Sequence, residues 1–335
     1  MQTEGGTGDG KEGSGECNMI RKKRDSVIRE PITLCPSSDF PLKGMLTLPG
    51  DASGPVPAVV MVHGSGPSNM DEKVRKLTPF KDLAEGLVRH GIASLRYDKR
   101  TFAHGRKLAK RKDLSVREEA IVDALSAVAM LKSDNRVDPD RIFILGHSQG
   151  AMLAPRIDAE GGDAKGLIMM AGSPYRLEEI LLRQIRNAGD AGNPLVKWLL
   201  GLEYKALSKK LKDLYELSDE EAKKKKLAGN MSLYYFKEMG QKTAADYLLE
   251  SGKPVLIMQG EEDLQALAAV DFKAFQELLA ARPDTAFKLY PGLDHAFVSA
   301  LTDNPLKASK EFSVERHIGE EVINDIAAFI LNAGR

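Results

Sequence analysis

Cysteine is nearly absent: Cys17 and Cys35 are the only two in 335 residues. Two thiols close to one end form no disulfide scaffold and lack metal-ligand spacing, so a reducing compartment is expected. Net charge is missing too. Lys+Arg and Asp+Glu both number 48, which leaves no field to draw the chain to nucleic acid or anionic lipid. No apolar run reaches the ~18 residues of a membrane span, and the N-terminus carries no apolar signal segment. Internal repeats are lacking as well. The expectation is a cytoplasmic protein acting on a small, uncharged partner, with no nucleic acid and no membrane, and with no readable sign of its oligomeric state.

What is present is an alternation of strand and helix signals in a chain long enough for one large α/β domain or two smaller ones. Met1 to about Asn18 is a Gly/Glu/Ser/Thr stretch with little to bury, and the chain over 1–26 is expected to be a disordered polar tail. Val27–Thr33 and Leu42–Leu48 read as two antiparallel edge strands. Pro57–Val62 is continuously apolar, as a strand buried on both faces of a parallel sheet reads. A helix follows through Phe80, Leu83, Ala84, Leu87 and Val88, then a strand over Ile92–Tyr97. Asp98-Lys99-Arg100 reads as an ion-pair network anchoring a loop. Val116–Lys132 is amphipathic and leads through the turn Asp138-Pro139-Asp140 to a strand over Arg141–Leu145. Gly166–Gly172, Lys253–Gly260 and Thr285–Tyr290 complete the strands, and Ile318–Leu331 closes as a helix. Such alternation predicts a mostly parallel sheet with helices on both faces. It stops between Tyr175 and about Glu250, where no strand-like run occurs, so 175–250 reads as a helical cap inserted into a core made of 27–174 and 251–335.

Chemistry enters at Gly146-His147-Ser148-Gln149-Gly150, which fits the Gly-x-Ser-x-Gly turn between a strand and a helix. Strand and helix pass too closely there for side chains two positions either side of the serine, and glycines supply the clearance. His63-Gly64-Ser65-Gly66-Pro67 leaves the Pro57–Val62 strand, where open backbone N–H groups can stabilise an oxyanion. In a parallel sheet the acid and the histidine should follow later strands. Gly260-Glu261-Glu262-Asp263 follows one, with Asp263 favoured over Glu261 and Glu262. Pro291-Gly292-Leu293-Asp294-His295 follows the last, and His295 stands better placed than His317, His90 or His104.

Together with Arg96–Thr101, Met152-Leu153-Ala154-Pro155 and Gly260-x-x-Asp263-x-Gln265, these motifs resemble the α/β-hydrolase superfamily. The likeness is closest to esterase-D-type carboxylesterases, relatives of dienelactone hydrolases and acylaminoacyl peptidases. It spans about Val27 to the C-terminus. It implies an α/β-hydrolase fold, Ser148 as nucleophile, His295 as base, Asp263 as its orienting acid, and oxyanion donors at Gln149 and in the turn at Gly64 or Ser65. The implied reaction is hydrolysis of a small-molecule ester, short in its acyl part, through an acyl-enzyme, with no cofactor and no metal. A peptidase or acyltransferase using the same triad, or a hydrolase fold without catalysis, are the other readings. Tyr234 and Tyr235, in the aromatic cluster Ser232–Phe236, are the candidates for the substrate wall. The chain departs from the pattern at its short polar N-terminus and at the alanines following Gln265.

Overall fold

Strands that are apolar at every position are covered on both faces, and their side chains divide by parity because successive Cβ atoms point to opposite sides. β3 (Val56–Val62) is buried throughout. Its Ala58, Val60 and Val62 join one hydrophobic cluster, while Val59 and Met61 join another. β5 (Val137–His147), β6 (Gly166–Met170) and β9 (Val255–Gly260) divide likewise: Ile144, Leu167 and Ile257 lie on the first face, Leu145, Ile168 and Leu256 on the second. Helices Val122–Ser133 and Gln149–Ile157 cover the first face, and helices Pro79–Arg89 and Glu320–Asn332 the second. The computed structural model describes residues 26–35, 37–109, 111–228 and 231–333. Apart from Ser26, the expected disordered tail lies outside these.

With β1 (Val27–Leu34), β2 (Leu42–Pro49), β4 (Ala93–Tyr97) and β10 (Thr285–Tyr290), the strands form one 8-stranded sheet in the order β1-β2-β4-β3-β5-β6-β9-β10. β2 is antiparallel to both β1 and β4, and from β4 to β10 every pairing is parallel. The fold is thus the mostly parallel α/β sheet that the alternation predicts. Of the two expected edge strands, only β1 is at the edge, since β2 is hydrogen-bonded on both sides. The carboxyl ends of β3, β5, β9 and β10 all open on one edge of the sheet, and the loops leaving them carry the residues singled out above.

Three local expectations change. Asp138-Pro139-Asp140 is not a turn before the strand but part of β5, where the pairing with β3 jumps from Val56↔Val137 to Ala58↔Ile142. Extra residues are absorbed there as an irregularity, which lets a proline sit within the strand. The helix expected from Val116 starts with a wider π turn over Arg117–Ile121. The segment between β6 and β9 is not purely helical: besides helices Leu177–Asp190, Pro194–Leu211, Asp219–Lys224, Leu233–Gly240 and Ala244–Glu250 it holds a short hairpin, Lys226–Ala228 with Met231–Ser232. Those strands are too short for a periodic signal. Ser218 does cap its helix reciprocally with Glu221. Buried residues of this segment, among them Ile180, Leu214, Leu233 and Phe236, belong to the same cluster as the sheet's first face.

The Gln149–Ile157 helix passes very close to the sheet, backbone against backbone. A Cβ on Gly146 would lie 2.1 Å from the Gly150 carbonyl oxygen, and one on Gly150 would lie 2.0 Å from the Val62 carbonyl oxygen. Backbone cannot yield as a side-chain tip does, so Gly150→Ala should cost at least the ~1–3 kcal/mol of core overpacking and lower Tm by about 2–5 °C or more. Gly54→Ala, which meets nothing within 4 Å, should melt within about a degree of the parent. Thermal unfolding of both variants checks this; a Gly150→Ala protein as stable as the parent would show that the helix can lift away.

Candidate active site

Ser148 stands between β5 and its helix with φ 56° and ψ −117°. A side chain is rarely held in that region, and the turn persists because its surroundings fix it: Ser148 N–H donates to the Met170 carbonyl at 2.8 Å, and the Ser148 carbonyl accepts from Ala151. The hydroxyl is thereby raised above the carboxyl end of the sheet. It faces a cavity of about 590 Å³.

His295 lines the same cavity from the loop after β10. Its Nδ1 lies 2.7 Å from Asp263 Oδ2. Asp263 is fully buried and held on both oxygens: Oδ1 accepts the N–H groups of Gln265 (2.7 Å) and Ala266 (3.0 Å), and Oδ2 accepts the Gln259 amide at 2.8 Å. A carboxylate so provided with donors stays in place without water. Its competitors are elsewhere, since Glu261 and Glu262 are exposed. Asp294 accepts Ala296 N–H at 2.9 Å and Val298 N–H at 3.3 Å, which fixes the turn bearing His295. His317 is exposed and lies 3.1 Å from Asp82. Among the described residues no hydrogen bond joins Ser148 to His295; such contacts often tighten only when substrate is bound.

Gln149 and Ser65 also line the cavity. Gln149 opens its helix, so no preceding turn accepts its N–H. Gly64 differs. Its N–H donates to Glu72 Oε1 at 2.8 Å, which takes it away from any oxyanion and leaves Ser65 as the candidate donor of the two. Lys99 reaches the Gly64 carbonyl at 2.9 Å and pairs with Glu119, while Arg100 pairs with Asp123, so these cations anchor the loops as expected.

The two tyrosines part ways. Tyr235 is buried in the cavity wall, its hydroxyl donating to Glu119 and accepting the Gln149 amide at 2.8 Å. Burial and the Glu119 carboxylate push that phenol well above its ordinary range, so it stays neutral. Tyr234, one position earlier, is half-buried against the first-face cluster and outside the cavity lining, with Lys223 Nζ 4.9 Å from the centre of its ring. Adjacent helical residues face about 100° apart, and the helix turns Tyr235 and Phe236, but not Tyr234, to the cavity. Met152, Leu177, Ile180, Leu181, Leu227 and Phe236 make the rest of the wall largely apolar.

Sequence reasoning missed His147, Glu72 and Glu119. His147 stands 3.0 Å from Glu72, and burial, which would lower it, is outweighed by that carboxylate, so its pKa is raised to about 9. His63, by contrast, is pushed down to about 4, chiefly by burial. His147 alone offered a signal, as the variable residue of the serine motif; Glu72 and Glu119 reach the site by tertiary folding only. As for chemistry, a serine beside a neutral histidine that a buried carboxylate orients can attack an acyl carbon. No group of three or more His, Cys, Asp or Glu among the described residues is arranged to hold a metal ion.

The family model for serine aminopeptidase, S33, matches residues 54–300. Over 293 residues the chain is 33% identical to esterase EstD of Thermotoga maritima, a match that covers 87% of this chain and 65% of EstD. It therefore spans slightly less than two thirds of that relative. Among solved structures, Est1E from Butyrivibrio proteoclasticus superposes with a TM-score of 0.55 at 18% identity, covering 90% of this chain and 98% of that one. The Pyrococcus furiosus esterase Pf2001 superposes with a TM-score of 0.53 at 15% identity, covering 93% and 92%. Likenesses this remote speak for the fold.

If the surroundings hold Ser148 in a strained turn, glycine should relieve it. Ser148→Gly is expected to melt about 2–4 °C above Ser148→Ala, which keeps the strain, a difference drawn from ~1–3 kcal/mol of backbone strain less the entropy glycine loses. A glycine variant that melts lower would show that the turn costs nothing.

Proposed function

Since the chain belongs to the serine aminopeptidase S33 family of the α/β-hydrolase superfamily, we propose that it is a serine carboxylesterase, cleaving small uncharged esters through an acyl-enzyme. The observation that carries the reading is the His295–Asp263 pair, 2.7 Å across with a fully buried carboxylate, facing one cavity with the strained Ser148. In this mechanism His295 Nε2 takes the hydroxyl proton as Ser148 Oγ attacks the ester carbonyl carbon. Asp263 fixes the tautomer and stabilises the imidazolium. The N–H groups of Gln149 and Ser65 hold the oxyanion. Collapse expels the alcohol, protonated by His295, and a water activated by the same ring releases the acid.

Ester rather than peptide is favoured by EstD, named an esterase, and by the cavity. Its wall is apolar around Ser148, and a volume of about 590 Å³ suits a compact drug-sized ligand better than an extended chain. Tyr235, bonded to the side chain next to the nucleophile, brings its ring close to the reacting centre, which favours a short acyl group on that side. Tyr234 drops out of the proposed wall. The absence of net charge and of any helix long and apolar enough to cross a membrane among the described residues fit a small-molecule substrate, and a cytoplasmic site of action belongs to the same proposal.

A fluorophosphonate probe should label Ser148 alone, and Ser148→Ala should lose labelling and at least about 10³-fold of the turnover of a p-nitrophenyl ester. Across an acyl-length series, kcat/KM should peak at short chains and shift toward longer ones in Tyr235→Ala, with Tyr234→Ala unchanged. Faster cleavage of aminoacyl amides than of esters would replace this reading with the peptidase one.

A further inference from the structure

The mechanism just given uses neither His147 nor Glu72, yet these two buried side chains touch three of its loops. His147 Nδ1 lies 3.0 Å from Glu72 Oε2, and its Nε2 lies 2.8 Å from the carbonyl oxygen of His295. The Nε2 contact is a hydrogen bond to a carbonyl, which only accepts, while Nδ1 and Glu72 Oε2 meet as a close ion pair without hydrogen-bond alignment. A lone pair on Nδ1 would face that carboxylate at 3.0 Å, so a ring with a hydrogen on each nitrogen, a cation, fits both contacts. The other Glu72 oxygen takes the Gly64 N–H at 2.8 Å. Glu72 itself sits in the left-handed region at φ 51°, a conformation that costs free energy and is kept only where its contacts fix it.

We propose that His147 is a positioning residue, an imidazolium clamped by Glu72 that holds the His295 loop and the oxyanion turn in register with the serine. The proposal rests on the hydrolase reading. Were the ring neutral, one nitrogen would become a lone pair facing an acceptor: it would either release the His295 carbonyl or repel Glu72, and both strip a loop of its tether. A shift of about 1 Å in a reacting group costs on the order of 10²-fold in rate. The Ser65 donor and the His295 ring hang from the two ends of this tether.

Charged and titratable groups face His147 from every side. Glu72 lies against it on the loop after β3, with His63 beyond, and Lys99 reaches the Gly64 carbonyl from the loop after β4. The His295 ring packs at 4.9 Å between centroids and 50° between planes, and Asp263 acts from behind it. Their sum raises His147 from its ordinary 6.5 to about 9, while His147, His63 and the Gly64 N–H outweigh the burial of Glu72 and hold its carboxyl low. A histidine raised in the fold stabilises it fully below 6.5 and loses that contribution as pH rises through about 9. Glu72 works in the opposite sense, its contribution being lost on acidification.

The test is nitrogen NMR of ¹⁵N-histidine-labelled protein, with kcat and KM for p-nitrophenyl acetate from pH 6 to pH 10.5. In the wild type both ring nitrogens of His147 should carry hydrogens at pH 7.5 and titrate near 9, and kcat should fall along the same curve with KM changed less than about twofold. Glu72→Gln should move the titration and the alkaline limb down together by at least about one pH unit and lower kcat at pH 7.5 by about 10- to 100-fold. His147→Asn, which keeps a donor toward Glu72 but cannot titrate, should abolish the limb and lower kcat at similar KM. A neutral ring at pH 7.5 in the wild type overturns the proposal, as does a limb unmoved in either variant. If Glu72→Gln fails to fold, the wild-type titration and His147→Asn decide. If the wild type cleaves no ester, the esterase reading falls, while the nitrogen titration still decides the charge on His147.

Discussion

Two carbonyl oxygens leave no room for a Cβ at Gly146 and Gly150, and the placement of the whole site depends on that exclusion. Because the helix after β5 comes down against the end of β3, Ser148 has nowhere to go but up, into a backbone region that few side chains occupy. The same closeness brings the turn after β3 beside Ser148: a Cβ on Gly64 would lie 3.1 Å from that of Ser148. Loosening the contact would lower the serine and separate it from the N–H groups beside it. Local strain here and close packing of strands and helix are one feature.

A site this buried has to hold its charges by pairing them, since an unpaired ion away from water is costly. Asp263 is satisfied by backbone N–H groups and by Gln259, so it needs no counter-ion to stay in place. Glu72 is divided between Gly64 and His147, and Glu119 between Lys99, Thr101 and Tyr235. Each carboxylate joins elements distant in sequence. These polar contacts fix relative positions of loops that the apolar clusters below them leave undetermined.

Much of this was legible in the sequence, for identifiable reasons. Buried parallel strands announce themselves by unbroken apolar runs, which is why β3, β6 and β9 were readable to within a residue or two. The serine motif carries its own steric logic, and order along the sheet pointed to Asp263 and His295, on two loops that the fold brings within 2.7 Å of each other. Features set by tertiary contact were not legible. The direction of the Gly64 N–H depends on Glu72, and nothing local in the sequence reveals that carboxylate's approach. Tyr234 and Tyr235 are equivalent in composition and differ only in the angle at which their helix lies on the sheet. β7 and β8, at Lys226–Ala228 and Met231–Ser232, are too short to show a period, and β5 runs through a proline because an irregular register absorbs it.

The segment between β6 and β9 gains its place from both kinds of force. Its buried residues continue the sheet's own hydrophobic cluster instead of forming a separate one. Around that contact stand polar ties: Tyr235 to Glu119 and Gln149, Arg183 to the buried Asp271 at 2.6 Å, and Arg156 on the helix after Ser148 to Glu238. To swing the segment away as a body would expose apolar surface and strip several buried ions of their partners at once. Each such loss costs on the order of a few kcal/mol, so their sum exceeds what binding a small molecule supplies in differential affinity. The segment therefore stands as a fixed wall of the cavity in front of Ser148.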